Sequence, residues 1–102
     1  MHVVCQIMSL NPEFKNYLNE IINNIIVGIP SLKKEYPKLK IEWRFDSEFD
    51  FLYGCIVGQI LGSCLTAFRM SYNREAKADE LLGIGEIVES YFPLIRDEIK
   101  NN

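Results

Sequence analysis

The side chains able to do chemistry in this chain are few and poorly spaced for it. His2 is the only histidine. An imidazole base for a serine or cysteine nucleophile would therefore have to fold back from the second residue, which sets aside Ser-His-Asp and Cys-His schemes. His2 and Cys5 offer two ligands at a workable spacing, but zinc takes four, so no metal is expected there. The Glu-x-x-His pairs of a carboxylate-bridged diiron centre are absent. No G-x-G-x-x-G follows a strand and no Walker lysine follows a glycine loop, so no nucleotide cofactor is expected. Asp79, Glu80, Glu86, Glu89, Asp97 and Glu98 gather near the C-terminus. At helical spacing they scatter over an outer face, which reads as a solvated surface and not as an acid–base pair. The expectation is a protein that is not an enzyme.

Three cysteines, Cys5, Cys55 and Cys64, are an odd set with no framework spacing. Nine positions at 100° each put Cys55 and Cys64 on opposite sides of one helix, so they do not pair with each other. Buried thiols in a reducing cytoplasm are the expected state, with a disulfide from Cys5 or between chains as the alternative. Residues 1–10 lack a charged n-region followed by a long apolar run, so no signal peptide is expected.

Charge is uneven. Residues 33–44 carry Lys33, Lys34, Lys38, Lys40 and Arg44 against Glu35 and Glu42, a balance of +3 in a chain of net −3, which leaves −6 for the remainder. With Tyr36 and Trp43 interleaved, these cations form the candidate surface for a charged partner: an acidic protein, or nucleic acid through phosphate contacts and base stacking. The pattern also has a purely structural meaning. Leu39, Ile41, Trp43 and Phe45 alternate with Lys38, Lys40, Glu42 and Arg44, the two-residue period of a half-buried strand. Lysines on the wet face of an edge strand discourage aggregation without any ligand.

The elements that would position these residues follow from periodicity. The chain has 102 residues, of which 48% are hydrophobic and 25% charged, the size and make-up of one folded domain spanning 1–102. The spacing predicts a short strand at 2–8, a helix at 12–28, a strand at 38–45 and helices at 48–72 and 77–99. Asn11-Pro12-Glu13 opens the first helix, Gly28 and Pro30 end it, and Ser31 caps a further turn over 32–36. Its inner face is Phe14, Tyr17, Leu18, Ile21, Ile22, Ile25, Ile26 and Ile29. Ser47 opens the central helix and Asn73 stops it in a left-handed turn. The last helix presents Leu81, Ile84, Val88, Tyr91, Phe92, Ile95 and Ile99, with a kink at Pro93. The fold class is mainly α (α+β): three principal helices around a glycine-ridged central helix, with one or two short strands.

That central helix is the informative segment. Gly54, Gly58 and Gly62 recur every fourth residue, although each helical glycine costs about 0.5–1 kcal/mol relative to alanine. The ridge lies roughly 130° from the centre of the aliphatic stripe Phe49, Leu52, Tyr53, Ile56, Val57, Ile60, Leu61, Cys64, Leu65 and Phe68. Gly85 in the last helix is a candidate to pack on it. Between Asp50 and Arg69 stand eighteen uncharged residues, the threshold length for a membrane span, with a GxxxG spacing. Gln59, Ser63 and Thr66 within that span, and the amphipathic helices on either side, argue for a helix buried in a soluble assembly. Too few elements remain to surround such a helix, so a second copy is expected to cover it. The expected function is thus a non-catalytic, homodimeric interaction module of the cytoplasm. Leu39, Ile41, Trp43, Phe45, Gly54, Gly58 and Gly62 are its candidate assembly surface. Nucleic-acid binding through 33–44 is the alternative, and membrane association the third reading.

Overall fold

The computed structural model describes residues 10–35 and 46–101, and within them the protein is mainly helical. Helix α1 spans Pro12–Val27, α2 Ile29–Glu35, α3 Glu48–Tyr72, α4 Ala78–Glu89 and α5 Phe92–Lys100. No strand occurs among the described residues, and the strands expected at 2–8 and 38–45 lie outside them.

Local chemistry sets each boundary. Asn11 caps α1: its Oδ1 accepts from the Glu13 amide at 2.7 Å and the Phe14 amide at 3.4 Å, while Pro12 fills a first-turn position that needs no N–H. Ser47 caps α3 by accepting from the Asp50 amide at 3.1 Å. Asn73 closes α3 at φ 55°, with its amide donating to the Arg69 carbonyl at 2.7 Å. The left-handed conformation tolerates asparagine better than most side chains, which is why the helix stops there.

Two expected boundaries are corrected. Gly28 ends α1 as expected, standing as its C-cap after Val27 with a right-handed φ of −81°. The further turn is not capped by Ser31, because α2 starts at Ile29 with Pro30 and Ser31 already inside it. Proline is tolerated in a first turn, so a cap at Ser31 is not needed. An added Cβ at Gly28 would lie 3.3 Å from the Ile25 carbonyl oxygen. The single helix expected at 77–99 is two. Pro93 cannot donate to the Glu89 carbonyl, and α4 ends at Glu89 with α5 starting at Phe92.

The core is a set of interlocking rows. Phe14, Leu18, Ile22 and Ile26 of α1 face Leu52, Ile56, Ile60, Cys64 and Phe68 of α3, and Ile84, Val88, Ile95 and Ile99 complete the cluster from α4 and α5. Phe14 meets Phe68 edge to face, with ring centroids 5.7 Å apart at 84°. Helices α1, α4 and α5 all pack on α3, which is the centre of the fold as its sequence implied.

Candidate self-association surface

The buried residues of α3 are Leu52, Ile56, Ile60, Cys64, Ala67 and Phe68. On a helical wheel they fill one sector, the side met by α1, α4 and α5. The opposite sector carries Gly54, Gly58, Gly62, Leu65, Thr66 and Arg69, all exposed. Cys55 stands half-buried along the same side, and the half-buried Val57 and Leu61 pack against the core cluster at its edge. Nothing among the described residues comes within 4 Å of a Cβ built on Gly54, Gly58 or Gly62. Among the described residues the glycines therefore meet no neighbouring backbone. A Cβ on Gly85 likewise meets nothing within 4 Å, so the expected contact between Gly85 and the ridge is not made.

The aliphatic stripe is narrower than its periodicity suggested. Leu65 is 39% exposed and Leu81 of α4 is 46% exposed, where both were expected inside. Tyr17 of α1, also expected inside, is 48% exposed. The reason is geometric. A stripe drawn from every apolar position spans more of the helix than three helices on one side can cover.

A feature not expected from the sequence adjoins the open face. Two depressions run between α1 and α3, one of about 520 Å³ bounded by Tyr17, Thr66 and Met70, the next of about 360 Å³ bounded by Asn24, Gly28 and Leu32. Gln59 borders both, and Gly62 and Thr66 join the first to the open face of α3. Among the described residues no Asp, Glu, Lys or Arg lines either one. Met70 at its rim is 78% exposed, and its place off the inner stripe of α3 gave no hint of the groove.

Cys55 and Cys64 are both free thiols. Burial pushes the Cys64 thiol up to about 11, so at neutral pH it is protonated and a poor nucleophile. Among the described residues no three His, Cys, Asp or Glu side chains are grouped to hold a metal ion. His2 and Cys5 lie outside the described residues. The C-terminal carboxylates are spread along α4 and α5. Glu80 alone is strongly engaged, accepting two hydrogen bonds from the Arg74 guanidinium at 2.9 Å each and one from the Lys77 amide at 2.8 Å. These donors hold its carboxyl down at about 2.

Of the basic segment, Lys33 and Lys34 fall within α2, while Lys38, Lys40 and Arg44 lie outside the described residues, as do Leu39, Ile41, Trp43 and Phe45. The Lys33 ammonium donates to the Asn101 carbonyl and, at 3.5 Å, to the Glu98 carbonyl. It thus serves the C-terminal end of α5, where a cation complements the helix dipole. Lys34 is exposed.

Comparison of the chain with known protein families, with curated proteins and with solved structures finds no match.

Proposed function

We propose that this protein is a non-catalytic, self-associating module of the cytoplasm, a homodimer that acts as a protein–protein interaction unit through the open face of α3. The observation that carries the reading is the central helix itself. A third of the residues in its eighteen-residue apolar window are buried among the described residues, and Leu65 on the open side is 39% exposed. An apolar helix left with an uncovered side is suited to meeting a partner. Three helical glycines along it sacrifice helix stability with no close neighbour among the described residues to explain them. The free thiols Cys55 and Cys64 suit a reducing compartment.

The test is the molar mass of the Gly58→Leu variant beside the parent, by light scattering after size exclusion in detergent-free buffer. A Leu side chain at 58 meets no described neighbour within 4 Å of its Cβ, but it holds a close partner away. Loss of assembly with retained helicity supports the reading. Unchanged assembly removes this face from it.

The same helix is long and apolar enough to cross a bilayer by length and composition, which favours a second reading as a membrane-associated protein. Vesicle flotation separates the two. A soluble homodimer stays with the protein fraction, whereas a membrane-seated helix floats with the lipid.

A further inference from the structure

We infer that a second copy of this chain covers the open face with its own α3 running antiparallel, the two helices crossing near Gly58. The inference rests on the self-association reading and adds the partner's orientation and register.

Charge placement carries the orientation. The α3 helix is acidic at its first turn, with Glu48 and Asp50, and basic at its last, with Arg69. Between them lie about 27 Å of helix with no ionised side chain. Antiparallel pairing about Gly58 sets Arg69 opposite the first turn of the other copy, within a helical turn of its Glu48 and Asp50, twice over by symmetry. Arg69 is available for this contact: its side chain is 59% exposed and its ion pair with Glu75 is long, at 3.9 Å. Parallel pairing would instead place Arg69 beside Arg69 and acid beside acid. The helix dipoles favour the same choice, since each positive N-terminus then adjoins a negative C-terminus.

Register follows from side-chain size. With Gly58 at the crossing, Gly54 of one copy faces Gly62 of the other, and the half-buried Leu61 and exposed Leu65 flank the contact from both sides. Small residues at the crossing let the backbones approach, and the leucines then gain neighbours. The area is adequate. A 25-residue helix is about 37 Å long. Together with the adjoining α1–α3 groove, a face about 20 Å wide amounts to roughly 700 Å² per copy, close to the ~800 Å² of a standard stable interface. The described residues of the groove contribute amides and hydroxyls but no charge to be desolvated, which suits a surface meeting its own copy.

The test uses single cysteines in a Cys5→Ser, Cys55→Ser background, with buried Cys64 retained, oxidised by glutathione disulfide. Antiparallel pairing predicts efficient cross-linking of Gly58→Cys with itself, and of Gly54→Cys mixed with Gly62→Cys. It predicts little cross-linking of Gly62→Cys alone, whose two copies would stand about 12 Å apart along the axis. Self-cross-linking of Gly62→Cys as readily as Gly58→Cys overturns the orientation while leaving self-association intact. A dimer by light scattering with no cross-link at any position means another face mediates assembly. A monomer of the uncross-linked protein removes both this inference and the reading beneath it.

Discussion

The Tyr91 hydroxyl, in the bend between α4 and α5, donates to Asn19 Oδ1 of α1 at 2.9 Å. This bond joins the two flanks of α3 to each other across seventy-two positions of sequence. It closes the covered side of the central helix, so α1 on one flank and α4–α5 on the other share a single sector. With both flanks committed there, the described part of the chain has no further helix to lay over Gly54, Gly58 and Gly62.

Replacing Tyr91 by Phe keeps the ring and removes the donor. The partly buried Asn19 oxygen loses its partner, and a hydrogen bond of this kind contributes about 1 kcal/mol net. We expect a lower urea midpoint with an unchanged dependence on denaturant. No change in midpoint would show that water satisfies Asn19 equally well.

Ile60 is fully buried in the central row of α3. Ile60→Ala should cost about 2–5 kcal/mol, the range for removing a large aliphatic side chain from a close-packed core. For a domain this small that is a large share of total stability, visible as a drop in Tm or in loss of the folded state. A cost below about 1 kcal/mol would mean that α3 is not the centre of the core.

Gly58→Ala should act in opposite directions on folding and on assembly. The added methyl meets no described neighbour, so the monomer gains up to about 1 kcal/mol of helix stability. The same methyl at a close helix crossing weakens the dimer. Circular dichroism at low protein concentration reads the first effect, and dilution-dependent mass reads the second. A stabilised monomer with unaltered dimer affinity would place the crossing elsewhere.

Glu80 gives the fold a defined acid response. Its carboxyl is held at about 2, first by the Arg74 hydrogen bonds and then by the Lys77 amide, against an ordinary value of 4.5. The unfolded chain therefore takes up this proton at higher pH than the folded chain does. The resulting stabilisation is fully present above about pH 4.5 and is lost as the pH falls through about 2. Comparison of Glu80→Gln with the parent over pH 7 to 2 should show a lower Tm for the variant at neutral pH and a smaller fall on acidification. Parallel curves would mean that the pair with Arg74 adds nothing in solution.

Much of the helical frame was legible in the sequence because capping is local. Asn11-Pro12, Ser47 and Asn73 mark their boundaries through short-range hydrogen bonds and backbone preference, and the central helix at 48–72 ends where those residues place it. Pro93 marks the break between α4 and α5, but a proline alone predicts a kink as readily as a stop, since nothing local shows whether a helix resumes in line. The exposure of Leu65 and Leu81 was not legible. Apolar periodicity reports which residues can be buried, whereas the number of helices available decides which are. The uncharged α1–α3 groove escaped for a related reason: it exists only where Tyr17 and Met70 are brought together by the antiparallel packing of two elements far apart in sequence. Lys33 shows the converse. A clustered cation suggested a partner surface, yet its position beside the end of α5 could be known only from the fold.

The most direct test of the central claim is the molar mass of the unmodified chain in detergent-free buffer, measured by light scattering over a range of concentrations. Coverage of the open α3 face by a second copy predicts a mass near twice 11.9 kDa that falls toward 11.9 kDa only on dilution. A mass of 11.9 kDa at every concentration would contradict the account.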